Sequence, residues 1–109
     1  MANFSNYGVV LVTAASQAEA ETIAEALIQE RLAACVNIVP IQSLYVWQGE
    51  MHRDQEYQLI IKTNLDRFSE LESKIQAIHS YEIPEIIALP IIKGSAPYLQ
   101  WMSDQIKSD

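Results

Sequence analysis

The chain has one cysteine, three glycines, four prolines and few basic residues, and each shortage closes off a class of explanation. A lone thiol, Cys35, cannot form an internal disulfide, so a reducing compartment, the cytoplasm, is expected. So little glycine and proline leaves no collagen-like, linker or low-complexity stretch. Seven Lys and Arg stand against fourteen Asp and Glu, a net charge of −7. The basic residues are scattered singly, whereas nucleic acids and anionic membrane surfaces both demand a cationic footprint. Neither partner is expected. Hydrophobic runs are short: Thr13 closes the one over residues 8–12, and Pro90 interrupts the one over residues 86–92, so no membrane span is expected. Residues 1–7 read as an N-terminal tail without the basic and apolar regions of a signal peptide. There is no nucleophile elbow, no glycine-rich phosphate loop, no Cys-x-x-Cys and no His-Glu-x-x-His.

What remains is 109 residues, half of them apolar, enough for a single domain over residues 1–109 with one core. Residues 8–13, Gly-Val-Val-Leu-Val-Thr, form a dense β-branched run that reads as a central strand buried on both faces or nearly so. Ser16 and Glu19 form a capping box, and Ala20, Ile23, Ala24, Leu27 and Ile28 follow at helical spacing to about Arg31 or Leu32. Residues 34–48 are extended, with Pro40 marking an edge or a bulge, and Gln48-Gly49-Glu50 is the turn. Residues 56–63 make the next strand. Asn64 or Asp66 caps a second helix with Phe68, Leu71, Ile75 and Ile78 on its buried stripe and Glu70 paired to Lys74 on its surface. Residues 81–85 are a loop, 86–92 the last strand, and Pro97 opens a short C-terminal helix carrying Tyr98, Leu99, Trp101, Met102 and Ile106. The order is βαββαβα. It predicts an α+β fold, the ferredoxin-like βαββαβ sandwich, with both long helices on one face of an antiparallel sheet.

One length does not fit a monomer. A first helix of about 16 residues spans roughly 24 Å, while a second strand of about 15 residues reaches roughly 50 Å. The half beyond Pro40 must project as a hairpin arm, yet it carries Leu44, Tyr45, Val46 and Trp47 in succession. Either the C-terminal helix folds back over this patch, or copies of the chain cover one another. A head-to-tail contact that closes into a ring hides every such surface. The helix is short, so the ring is the expectation.

Four separated motifs make the reading more specific. They are Leu32-Ala33-Ala34-Cys35, Ser43-Leu44-Tyr45-Val46-Trp47-Gln48-Gly49, His79-Ser80-Tyr81-Glu82-Ile83-Pro84-Glu85 and Tyr98-Leu99-Gln100-Trp101, with Lys62-Thr63 between the second and third. In order and spacing, from about Gly8 to Trp101, they closely resemble the CutA divalent-cation-tolerance family. The resemblance implies a ferredoxin-like subunit in a PII-like homotrimer and a role in tolerance of, or response to, copper and other divalent metals, with no established catalytic reaction. Trp47 and Trp101 could line a ligand pocket, but large aromatics are more often packing anchors at interfaces, so both are expected, with Tyr45 of the arm, at the trimer interface. The resemblance also implies a copper site drawn from a first-strand cysteine, Cys35 and His79; the first-strand position is Val12 here, which cannot bind metal, and the family's His-Pro-Tyr reads His79-Ser80-Tyr81.

The residues allow more than one chemistry. Cys35 is either a soft ligand for Cu(I) or a small buried hydrophobe at a strand start. His79 is either a ligand or a favourable residue at a helix C-terminus. Two donors fall short of a tight site unless neighbouring subunits supply the rest. Tyr81, Glu82 and Glu85, with Lys62, are candidates for an intersubunit cleft that takes a hard cation or a small ligand; the alternative is a solvated loop. His52, Asp54 and Glu56 alternate along one strand and read as a solvated face. Cys35 and His79 as nucleophile and base would lack an orienting third group. No arginine follows the first strand to cradle phosphate, and that strand has no aromatics to stack RNA bases. The reading is a cytoplasmic, non-enzymatic homotrimer that requires no cofactor, with copper or another divalent cation as its candidate ligand. A trimeric scaffold for partner proteins, or an enzyme with an intersubunit site, are the alternatives.

Overall fold

The structure, a computed structural model, describes residues 6–108. Its elements are β1 (Tyr7–Ala14), α1 (Gln17–Gln29), β2 (Cys35–Trp47), β3 (Glu50–Asn64), α2 (Phe68–Ile78), β4 (Ile86–Pro90) and α3 (Ala96–Gln105), with a 3-10 turn, Leu65–Arg67, leading into α2. The strands make one antiparallel sheet in the order β2-β3-β1-β4. Tyr7, read as tail, already pairs with Asn64, and its hydroxyl hydrogen-bonds Ser103 at 3.2 Å. Residues 1–5 of the predicted tail lie outside the described residues.

Both long helices cover one face of the sheet. Val10, Val12 and Ala14 of β1 and Leu59 and Ile61 of β3 meet Ala20, Ile23 and Leu27 of α1 and Leu71 and Ile75 of α2, all without exposure. Each large side chain buried there contributes about 1.5–3 kcal/mol. The other face differs from expectation. Val9 and Leu11 are only half-buried, and Val39, Ile87 and Leu89 are exposed, so β1 is central but sheltered on one side alone.

Local chemistry explains the boundaries. The Ser16 hydroxyl accepts the Glu19 N–H at 3.1 Å, capping α1. The helix stops at Gln29, earlier than its apolar spacing suggests, because Arg31 takes a left-handed conformation, φ 58°. The Arg31 N–H donates to Ile28 O and the Leu32 N–H to Leu27 O, closing a Schellman motif without glycine. The Arg31 guanidinium donates to the carbonyls of Asp104 and Gln105, so its strained backbone is held by the end of α3. Pro40 interrupts nothing: β2 stays in one-to-one register through the Pro40–Tyr57 pair, which an edge strand tolerates. Gln48 and Gly49 both have positive φ and form the two-residue turn that suits a twisted hairpin. β4 ends at Pro90 rather than Ile92. The Glu70–Lys74 pair does not form, because each residue finds a tertiary partner: Lys74 reaches Glu30 of α1 at 2.6 Å, while Glu70 takes Lys107 and Arg67.

The sheet outgrows its cover. β1 ends at Ala14 opposite Tyr57, so residues 41–47 of β2 and 50–56 of β3 pair only with each other. This arm is roughly 24 Å long in a molecule of 49 × 26 × 21 Å. α3 does not fold back over it. That helix lies at the far end of the sheet, tied to Tyr7, Arg31 and, through the Lys107 carbonyl, Arg67. Val46 is left 73% and Met51 68% exposed, alongside Leu44 and Trp47.

Candidate functional site

Where β1 ends, the open face of the sheet drops into a cleft of about 740 Å³ at the root of the arm. β3 supplies Glu56 and Gln58, β2 supplies Ile41, Ser43, Tyr45 and Trp47, and the loop after α2 supplies Ser80, Tyr81, Glu82, Ile83 and Glu85. Strand alternation puts Tyr45, His52, Asp54 and Glu56 on one face. Tyr45 stacks on His52 with ring centres 5.5 Å apart, and its hydroxyl donates to Asp54. That bond to Asp54, then the small burial of the ring, pushes the Tyr45 hydroxyl up. Glu56 departs from the solvated face expected of it. It is only 6% exposed, and the Tyr81 hydroxyl donates to its Oε2 at 2.6 Å. Burial and that bond push the Tyr81 hydroxyl well above its usual range. Glu85 lines the rim; loss of water in the cleft, then the charge of Glu56, raises its carboxyl.

The loop that brings Tyr81 to Glu56 is held by two side chains. The His79 ring is fully buried. Its Nδ1 accepts the Tyr81 N–H at 3.0 Å, which places the ring proton on Nε2, and Nε2 donates to the Thr13 carbonyl at 2.7 Å. Glu19 anchors the next residue, accepting the Ser80 N–H at 2.7 Å and the Ser80 hydroxyl at 3.0 Å while also taking the Ala15 N–H at 3.1 Å. Burial pushes the Glu19 carboxyl up, but the Ser80 and Ala15 donors outweigh it and hold it below the ordinary range.

The profile of the CutA1 divalent ion tolerance protein matches residues 8–105. The chain belongs to the CutA1 family. A divalent-cation tolerance protein CutA from Thermus thermophilus is 52% identical over 97 residues, covering 88% of this chain and 94% of the relative. A CutA1 structure from Oryza sativa superposes with a TM-score of 0.92 at 41% identity, covering 95% of this chain and 96% of that one. A structure from Archaeoglobus fulgidus, described as a periplasmic divalent cation tolerance protein CutA, gives 0.91 at 39% identity, covering 93% and 99%. These relatives are named for tolerance rather than for a reaction. Among the described residues, no helix is long and apolar enough to cross a membrane.

Against this CutA1 background, the residues singled out in the sequence fall into separate places. Tyr81, Glu82 and Glu85 do line one cleft, together with Tyr45 and Trp47. Lys62 does not join them: it lies six residues along β3 from Glu56, roughly 20 Å away. Its ammonium sits 4.0 Å from the Cys35 sulfur and contacts Asn37. Cys35 pairs with Lys62, whereas His79 reaches Thr13, which pairs with Gln58, so the two candidate metal donors stand apart within the chain. Val12, where the resemblance implied a cysteine, is buried in the core. Among the described residues, no three His, Cys, Asp or Glu side chains gather as a metal would require. Trp101 is exposed on α3, its ring 5.5 Å from that of Tyr98. Burial, then the Cys35 thiol, pushes the Tyr98 hydroxyl up. Sequence reasoning missed Glu56, Thr13 and Glu19. The capping box hinted at Glu19; nothing local hinted that the strand neighbouring Glu56 would end and leave its carboxylate facing a loop.

Proposed function

We propose that the protein is the subunit of a cytoplasmic, ferredoxin-like, PII-like homotrimer that serves in the response to divalent metals by binding ligands rather than by catalysis. The observation that carries this reading is the apolar arm, exposed and out of reach of the subunit's own α3. Ile92, 87% exposed, and Tyr98 and Trp101 of α3, also exposed, lie toward the end of the sheet away from the arm. Two different sticky surfaces at opposite ends suit a head-to-tail contact, and a rotation that closes after three copies leaves neither in water. Tyr45, Trp47 and Trp101 then sit at the interface, and the cleft at the root of each arm becomes an intersubunit site. The strand order β2-β3-β1-β4 supports the ferredoxin-like assignment.

Separation of Cys35 from His79 argues against a nucleophile–base pair and so supports a binding role. A copper site built on Cys35 takes its remaining donors from a neighbouring subunit. His79, with both nitrogens engaged, would have to give up a hydrogen bond to join it. The test pairs sedimentation with calorimetry. Sedimentation should give about 37 kDa, three chains of 12.3 kDa, and titration with Cu²⁺, reduced copper and Zn²⁺ should release heat. A compact single subunit at micromolar concentration overturns the assembly, and silence with all three ions overturns metal binding.

A further inference from the structure

The cleft has a chemistry narrower than "divalent cation". Glu56 is more than nine-tenths buried, yet its one hydrogen bond among the described residues is the neutral Tyr81 hydroxyl on Oε2; Oε1 receives no protein donor. Its neighbours deepen the deficit, since Glu82 and Glu85 line the same space. Among the described residues of one chain, no Lys, Arg or His lines it. Oε1 stays open to the cleft rather than sealed in protein, so a carboxylate shielded on most sides and given no counter-charge meets whatever enters there, and like charges beside it raise its cost. At the rim, loss of water and then the charge of Glu56 raise the Glu85 carboxyl, the same lack of compensation seen from outside. A positive group in the cleft would relieve it.

A bare metal ion suits the walls poorly. Hard cations gather six or more oxygens at short range, and the carboxylates here do not converge in that way. The walls are instead aromatic and aliphatic: Tyr45, Trp47 and Tyr81, with Ile41 and Ile83. Ring faces attract ammonium and guanidinium groups, more strongly where water is excluded. The cavity, about 740 Å³, has the size of small-molecule pockets rather than of an ion site.

We infer that the cleft at the root of the arm receives a small organic cation, an ammonium or guanidinium on an apolar body, with Glu56 as its buried counter-charge and Tyr45, Trp47 and Tyr81 as its walls. The inference rests on the reading of this cleft as a ligand site and names the ligand's class. Calorimetry on the assembled protein tests it with phenethylammonium, the near-isosteric neutral alcohol 2-phenylethanol, and phenylacetate. The ammonium should bind at least about tenfold more tightly than the alcohol, and phenylacetate should not bind. Glu56→Gln, which keeps an acceptor for Tyr81, should erase that preference while sedimenting as wild type does. If that variant misassembles, the rim variant Glu85→Gln should weaken the ammonium several-fold and leave the alcohol unchanged. Equal binding of ammonium and alcohol overturns the inference, as does a preference that survives Glu56→Gln. No ammonium binding also overturns it. Heat from Cu²⁺ or Zn²⁺ without heat from the ammonium overturns this inference alone; silence from both removes the ligand reading beneath it.

Discussion

Replacing His79 with alanine separates a strut from a metal ligand. In the wild type the buried ring joins two backbone groups from distant elements, the Thr13 carbonyl at 2.7 Å and the Tyr81 N–H at 3.0 Å. Alanine removes both bonds and the ring that fills the space between them. A buried backbone donor left unsatisfied costs about 1–3 kcal/mol. The Thr13 carbonyl suffers less, because a second lone pair can serve it. Adding the lost packing of the ring, the variant should lose about 3–5 kcal/mol, a large share of the total of roughly 5–15 kcal/mol available to a domain. The assay is denaturant unfolding of both proteins at one fixed concentration, since the proposed assembly would make stability concentration-dependent. A chelator is present throughout. A ligand whose purpose is metal would leave the metal-free protein unaffected by its removal. An apo-protein difference below about 1 kcal/mol would therefore refute the structural role argued for His79.

Three further outcomes follow from the same contacts. Trp47→Ala should weaken assembly by about 2–4 kcal/mol per arm, read by sedimentation over a dilution series; a trimer that persists unchanged at nanomolar concentration shows that the arm is not the anchor. Glu19→Ala should cost about 1–2 kcal/mol near neutrality, because it loses the Ser80 and Ala15 donors together. The Glu19 carboxyl is held down in the folded state, so its stabilisation is present above the ordinary value of 4.5 and fades as pH falls through its lowered folded value; the gap between variant and wild type should close in acid. Glu85→Gln should behave oppositely. A carboxyl raised by folding contributes stability below its ordinary value of 4.5 and loses it as pH rises through the raised folded value, so the neutral variant should gain on wild type toward neutrality in thermal melts. A difference that does not vary with pH contradicts the repulsion between Glu85 and Glu56.

The elements legible in the sequence were those whose signal is local. Gly8 through Thr13 read as a central strand because β-branched residues crowd together, and Ser16 with Glu19 read as a helix start because a cap needs only three residues' reach. The arm was legible by subtraction, since a helix advances 1.5 Å per residue and a strand more than twice that. What was hidden depends on where other elements stop. Arg31 ends α1 because α3 offers it two carbonyls more than seventy residues away, and Lys74 passes over Glu70 for Glu30 on another helix. Tyr81, Glu82 and Glu85 were suspected as a cleft, but their partner Glu56 was mistaken for a solvated residue because alternation along a strand says nothing about what faces it.

The early end of β1 produces the arm and the cleft together. Beyond Ala14 the hairpin loses its inner neighbour, so residues 41–47 and 50–56 project with their apolar side chains uncovered. The same ending uncovers the side of Glu56 that a continuing β1 would have crossed, and the loop from His79 to Glu85 enters there. Trp47 belongs to both features, one of the exposed apolar residues of the arm and one wall of the cleft. In the proposed trimer, assembly and ligand binding are therefore coupled. A ligand that orders Trp47 against the cleft must change the surface the arm offers its neighbour, and by linkage the neighbour must change the affinity for that ligand by the same factor.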